Sequence, residues 1–185
     1  YIDDDGADGI EDEIEEDTPK ANPLKVFRKI WIYAISVWFC YVVTIAIFPG
    51  LVSKVKSQYP KDSFMASWYL NLLVFDFNFF DLIGRSLPLI TNLIRFPMPW
   101  TKGKKQSIDQ YIFPLSPLLM LLRLVFLPVF IIASLNQDWF QFDWLIYSTM
   151  AFMGMTNGYL TSVIMSNTPA LVNPEEMMTV GTMMT

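Results

Sequence analysis

Hydrophobic residues fill four long stretches of this chain, and short polar segments separate one stretch from the next. The stretches cover about residues 26–48, 67–90, 117–135 and 144–165. A fifth apolar stretch starts near residue 174. A helix that crosses a bilayer needs about 20 mainly apolar residues. The pattern therefore predicts four membrane spans and the start of a fifth.

The same pair of residues, an asparagine followed by a proline, stands at the start of two of these stretches. Asn22-Pro23 precedes the first stretch and Asn173-Pro174 precedes the fifth. Asparagine is a favoured N-cap and proline is favoured at the first helical position, so both pairs predict helix starts. Phe48-Pro49-Gly50 is expected to end the first span.

The composition fits a membrane protein and excludes several kinds of chemistry. Hydrophobic residues make up 53% of the chain and charged residues 17%, whereas charged residues reach about 25% in soluble domains. The chain has no histidine and one cysteine, which excludes histidine-dependent catalysis and the common metal sites. We predict an all-α polytopic membrane protein that is not an enzyme, with no catalytic residue, metal or cofactor and no nucleic-acid partner.

Charge divides the chain into an acidic leader and a more basic remainder. Residues 1–17 carry ten acidic residues and no basic one. Such composition predicts a disordered acidic segment over residues 1–22, followed by a transmembrane region over residues 23–185. Lys and Arg in short loops mark the cytosolic side of a membrane. Eight of them flank one side of the predicted spans, namely Lys20, Lys25, Arg28, Lys29, Arg95, Lys102, Lys104 and Lys105. Only Lys54, Lys56 and Lys61 flank the other side, so the acidic leader is predicted to be cytosolic.

The second span contains an unusual number of polar residues for a segment inside a bilayer. At about 100° per residue, five of them fall on one narrow helical face, which we call the polar stripe: Ser67, Asn71, Asn78, Asp81 and Arg85. Asp76 falls on the opposite side. Asp81 and Arg85 are four residues apart, so their side chains can meet. A buried ion pair that only fixes helix packing is one interpretation. A water-accessible cavity lined by the stripe is favoured, because charges near a bilayer centre are tolerated mainly there.

Other polar and small residues in the spans are more ambiguous. Gly154 and Gly158 form a GxxxG pattern, which is typical of close helix packing, and Asn157 between them is a candidate for the cavity wall. Arg123 could be structural or could extend to the interface, and a structural role is favoured. Pro128 is expected to kink the third span. Ser36, Cys40 and Thr44 repeat every four residues on the first span, as helix-interface residues do.

Several strings in the chain together resemble a known family. They are "TIAIFPGL", "NFFDLIGRSL", "LLRLVFLPVF", "NGYLTSVIM" and "PALVNPEE". In order and spacing they are similar to the C-terminal half of equilibrative nucleoside transporters, from helix seven to the start of helix eleven. The resemblance implies a piece of a longer protein and part of a major-facilitator-like bundle. It also implies that Asp81 and Arg85 contact a nucleoside through its sugar hydroxyls, with Asn78 as a neighbour.

The expected function is facilitative transport of nucleosides, or of nucleobases, by alternating access across the plasma membrane. The expected partners are that solute, the lipid bilayer and the N-terminal helices of the same protein. The alternative is a non-transporting membrane receptor or structural subunit. An intramembrane aspartyl protease is disfavoured, because Asp76 and Asp81 lie on one helix and point apart.

Overall fold

The computed structural model describes residues 22–55, 57, 59–60, 62–97, 105–135 and 143–184. Within these residues the fold is a helical bundle with one small β-ladder. The helices are α1 (Pro23–Ile45), α2 (Phe64–Thr91), α3 (Ile108–Leu122), α4 (Phe126–Leu135), α5 (Asp143–Asn167) and α6 (Met177–Met184). The all-α expectation is confirmed. The predicted acidic leader lies outside the described residues.

Helix α1 begins as its sequence predicts, but it ends at Ile45, three residues before the predicted end at Phe48-Pro49-Gly50. The Asn22 side chain accepts a hydrogen bond from the Leu24 amide at 3.2 Å, and Pro23 occupies the first turn. A wider π-helical segment, Ala46–Leu51, continues from the last turn and contains Phe48 in an extended conformation. Because Pro49 has no N–H to donate, the regular helix cannot continue through this point.

The third predicted span, residues 117–135, lies within two consecutive helices that begin nine residues earlier. Ser107 caps α3 and accepts a hydrogen bond from the Gln110 amide at 3.4 Å. A 3₁₀ turn, Arg123–Val125, separates α3 from α4. Pro128 explains the interruption, because it cannot donate a hydrogen bond to the carbonyl one turn earlier and its ring crowds that carbonyl. The interruption therefore lies just before Pro128.

The link between α2 and α3 contains two short strands that the sequence analysis does not predict. Strand β1 (Arg95–Pro97) pairs antiparallel with β2 (Lys105–Ser107), and Arg95 lies opposite Ser107. Prolines in this link disfavour helix and leave the backbone extended. The pairing brings the end of α2 close to the start of α3.

Helices α2 and α5 run in the same direction and make the most extensive helix–helix contact. Glycines permit this contact, because a larger residue would clash with the neighbouring backbone. A Cβ on Gly158 would lie 2.1 Å from the Asp81 carbonyl oxygen, and a Cβ on Gly154 would lie 2.5 Å from the Phe77 carbonyl oxygen. A Cβ on Gly84 of α2 would lie equally close to α5, 2.2 Å from the Met155 carbonyl oxygen. The prediction that the GxxxG pattern serves close packing is confirmed.

Polar contacts join several helix ends at one end of the bundle. Lys29 of α1 forms an ion pair with Glu176. The Glu176 carboxylate also accepts a hydrogen bond from the backbone N–H of Asn173, at the start of the last helical segment. The buried Asp109 at the start of α3 accepts hydrogen bonds from Thr91 of α2 at 2.7 Å and from Tyr159 of α5 at 2.8 Å. The starts of α1, α3 and α6 and the end of α2 thus lie on the same side.

Two apolar clusters fill the bundle, one toward each end. The first contains Val43, Ile47, Val52, Tyr69, Leu73, Phe77, Phe130, Ala133, Ile146, Met150 and Met153. The second contains Val26, Ile30, Val37, Cys40, Met120, Leu160, Ile164, Val172, Val180 and Met184. Between the two clusters, near the middle of the long helices, lies a layer of polar side chains.

Two segments of the described chain are long and apolar enough to cross a membrane. They are Pro23–Lys54 and Ile108–Leu135, with mean hydropathies of 2.1 and 2.6. In the most apolar part of each segment, only 39% and 22% of the residues, respectively, are buried inside the chain. Both segments therefore leave many large apolar side chains exposed on the surface of the described chain.

Candidate functional site

The candidate site is centred on the ion pair between Asp81 and Arg85, one turn apart on α2. The Arg85 Nε donates to Asp81 Oδ2 at 2.7 Å. The two side chains are 15% and 40% exposed for Asp81 and Arg85 respectively. The pair therefore lies at the surface of the described chain.

Asn157 of α5 holds the second oxygen of the Asp81 carboxylate. Its Nδ2 donates to Asp81 Oδ1 at 2.6 Å, and the residue is 3% exposed. This contact is possible because Gly158 lets α5 approach the α2 backbone at Asp81. The close helix packing and the polar contact thus belong to the same crossing.

Arg123, at the break between α3 and α4, lies on the inner side of Asn157. Its Nη2 donates to Asn157 Oδ1 at 3.3 Å and to Thr44 Oγ1 at 3.2 Å, and the residue is 2% exposed. Its Nη1 donates to the Met153 carbonyl at 3.1 Å and to Thr156 Oγ1 at 2.9 Å. The side chain extends into the bundle rather than to a membrane interface.

Two residues of α1 complete this polar layer. The Cys40 thiol donates to Asn157 Oδ1 at 3.1 Å, and the Thr44 hydroxyl lies 3.1 Å from the same oxygen. Thr44 also lies 2.8 Å from the carbonyl of Cys40. Cys40, Thr44 and Ser36 are all buried, which confirms that this repeat lies at a helix interface.

The remaining members of the polar stripe precede the ion pair along α2, and Asn78 is the nearest of them to Asp81. Ser67, Asn71 and Asn78 are exposed on α2. The Asn78 amide donates to the Val74 carbonyl at 2.8 Å, and the Ser67 hydroxyl donates to the Phe64 carbonyl at 2.8 Å. The stripe thus forms an outward face of the described chain, whereas Tyr69, Leu73, Phe77, Gly84 and Pro88 form the buried face.

Asp76 lies off the stripe and takes no part in the polar layer. It is half-buried, and its Oδ2 has no hydrogen-bond partner among the described residues. A largely apolar cavity of about 420 Å³ lies between α3, α4 and α5, and its lining includes Leu119, Phe126, Phe152 and Arg123. No stripe residue lines that cavity, but it borders the polar layer at Arg123.

The sequence analysis identified part of this site and missed the residues behind it. It placed Asp81, Arg85 and Asn157 among the candidates but gave Cys40, Thr44 and Arg123 packing roles only. The available signal was Arg123 itself, because an arginine in the middle of a span requires polar partners. Its partners were not identifiable, since they are distributed over two other helices.

The described chain combines two segments that are long and apolar enough to cross a membrane with a charged polar layer near the middle of its helices, as all-α membrane proteins do. The model of the nucleoside transporter family matches residues 11–185. The chain belongs to the nucleoside transporter family.

Individual relatives agree with the family match. The chain is 30% identical over 184 residues to human equilibrative nucleoside transporter 1, a match that covers 95% of this chain and 37% of that protein. It is 30% identical over 166 residues to the protein of that name from Rattus norvegicus, covering 86% and 33%. It is 32% identical over 152 residues to equilibrative nucleotide transporter 8 from Arabidopsis thaliana, covering 82% and 33%.

The chain spans about a third of the length of the curated relatives it matches. These relatives and the family carry transporter names. The resemblance to this family that the sequence indicates is confirmed.

Proposed function

We propose that this chain contributes the polar stripe of a facilitative nucleoside transporter. In the whole protein, Asp81 and Arg85 contact the sugar hydroxyls of the solute, and Asn78 lies beside them. Asn71, Ser67 and Asn157 line or support the same cavity. The solute passes by alternating access, with a second helical half closing the cavity over the stripe.

The half-exposed Asp81–Arg85 pair on an outward polar face carries this proposal. A charged pair in a membrane protein is tolerated where water or a polar solute reaches it. A carboxylate offers about four acceptor positions, and hydrogen bonds from Arg85 and Asn157 use two of them. Free acceptor positions remain for hydroxyl groups. The family match supports the same solute class.

The competing function is a non-transporting receptor or structural membrane subunit. It would use the ion pair for assembly and would give no water or solute access to Asp81. The transporter names of the family favour the first function. The two functions differ in whether solute crosses the membrane.

Uptake of radiolabelled adenosine, uridine and hypoxanthine by cells expressing the full-length protein tests the proposal. We expect saturable uptake of at least one nucleoside above that of mock cells, reduced by excess unlabelled nucleoside. Surface biotinylation provides the control for expression. Protein at the surface with no uptake of any of the three solutes would contradict the proposal and favour the receptor.

The orientation in the membrane is part of the same proposal. The excess of Lys and Arg places residues 1–17 and the link after α2 in the cytosol, with the plasma membrane as the proposed location. The polar contacts that join the starts of α1, α3 and α6 with the end of α2 support a common side for these segments.

Epitope tags test this orientation directly. A tag within residues 1–17 and a tag beside Lys104 should bind antibody only after the cells are permeabilised. A tag beside Gln58 should bind antibody on intact cells. Staining of the Lys104 tag on intact cells would show that the orientation is inverted.

A further inference from the structure

Asn157 is held in one orientation by the groups around its amide oxygen. The oxygen lies within hydrogen-bond distance of the Cys40 thiol, the Thr44 hydroxyl and Arg123 Nη2. Arginine nitrogens can only donate, so the atom that faces Arg123 must be an acceptor. The Nδ2 group therefore points at Asp81 Oδ1, and a flipped amide would place like donors against each other.

Arg123 has no carboxylate in direct contact among the described residues. The ion pairs there are Lys29–Glu176 and Arg85–Asp81. A buried cation without a counter-ion is costly, particularly at membrane depth. Asp81 is joined to Arg123 through a single amide group, Asn157, with hydrogen bonds of 3.3 Å and 2.6 Å on its two sides. The buried charge of Arg123 therefore acts on Asp81 through this amide.

A donor on the amide oxygen polarises the amide and strengthens the hydrogen bond given by its nitrogen. Arg123 thus strengthens the hold of Asn157 on Asp81 Oδ1, while Arg85 holds Oδ2 at 2.7 Å. With both oxygens fixed, the free acceptor positions of the carboxylate point in set directions. Fixed directions favour a solute with hydroxyl groups at matching positions.

We propose that Arg123 is a positioning residue that acts through Asn157 to orient the Asp81 carboxylate toward the sugar hydroxyls of the solute. The inference rests on the proposed function, because it assumes that Asp81 binds those hydroxyls. It assigns solute selectivity to a residue that does not touch the solute. Its specific consequence is that replacing Arg123 weakens the binding of solutes with 2′ and 3′ hydroxyls and changes little the binding of solutes without them.

The test compares two solutes in Arg123→Gln of the full-length protein, which removes the charge and leaves a shorter polar side chain. The measurements are the KM for adenosine uptake and the inhibition constant of 2′,3′-dideoxyadenosine against that uptake. Loss of one hydrogen bond to a charged group changes affinity by about tenfold or more. We expect the KM for adenosine to rise about tenfold and the inhibition constant of dideoxyadenosine to change less than about twofold.

Thr149→Val serves as the matched control. Thr149 lies on α5 about two turns before Asn157, and its hydroxyl contacts the Leu145 carbonyl of its own helix. Valine has nearly the same shape, so packing is preserved. Because this change leaves the Arg123–Asn157–Asp81 connection in place, both constants should stay within about twofold of wild type.

A purely structural Arg123 predicts a different result. Surface abundance and Vmax would fall, and the two constants would stay unchanged or rise together, which would overturn the inference. If Arg123→Gln fails to reach the surface, Asn157→Ser removes the connecting amide and is judged by the same two constants. Absence of saturable adenosine uptake by the wild type would instead contradict the proposed function.

Discussion

Replacing Asp81 with alanine in the full-length protein should reduce nucleoside uptake by about a hundredfold while the protein still reaches the cell surface. The carboxylate accepts from Arg85 and Asn157 and is expected to accept from solute hydroxyls. Hydrogen bonds to a charged group contribute about 1.5–3 kcal/mol each, and two lost solute contacts account for a change of that size. Arg85→Ala should have a comparable effect. Uptake by surface-expressed protein is the measurement.

Asp76→Asn is the matched control for this pair of variants. Asp76 is an aspartate on the same helix, but it lies off the polar stripe and outside the polar layer. We expect uptake close to that of wild type. Normal uptake by both Asp81→Ala and Arg85→Ala, or a loss in Asp76→Asn equal to theirs, would show that the stripe does not line the solute cavity.

Replacing Gly158 with alanine should strongly destabilise the protein. The added Cβ would lie 2.1 Å from the Asp81 carbonyl oxygen and 2.8 Å from the Arg85 amide nitrogen. Both neighbours are backbone atoms, so the helices themselves must separate. Overpacking typically costs about 1–3 kcal/mol and occasionally more. We expect a fall of several degrees in the thermal unfolding temperature of the purified full-length protein in detergent, with loss of uptake.

Gly181→Ala provides the control for the glycine change. No atom of the described residues lies within 4 Å of a Cβ added at Gly181 on α6. Alanine is favoured over glycine in a helix by about 1 kcal/mol, so the unfolding temperature should stay the same or rise. Equal tolerance of alanine at both positions would contradict the close α2–α5 crossing.

Helix starts and the polar stripe could be predicted because they depend on residues that are near one another in sequence. Asn22 and Ser107 cap their helices through contacts two or three residues away. The Asp81–Arg85 pair follows from helical geometry alone.

The polar layer behind the ion pair could not be predicted, because it depends on how four helices pack. Asn157 and Asp81 are separated by 76 positions, and their contact requires the glycine crossing of α2 and α5. The GxxxG pattern indicates close packing but does not identify the partner helix. Arg123, which reaches Asn157, lies in the 3₁₀ turn between α3 and α4, on a third stretch of the chain.

Chemical accessibility of the stripe in the whole protein provides the most direct measurement. Asn78→Cys and Phe79→Cys would be introduced separately into full-length protein that otherwise lacks accessible cysteines, and a charged, membrane-impermeant thiol reagent would be applied. Both residues are exposed on the described chain, but they differ by about 100° around α2. We predict that Cys at 78 is labelled, that adenosine slows this labelling, and that Cys at 79 faces lipid and is not labelled. Equal labelling at both positions, or labelling at 78 that adenosine does not change, would contradict a solute cavity lined by the polar stripe.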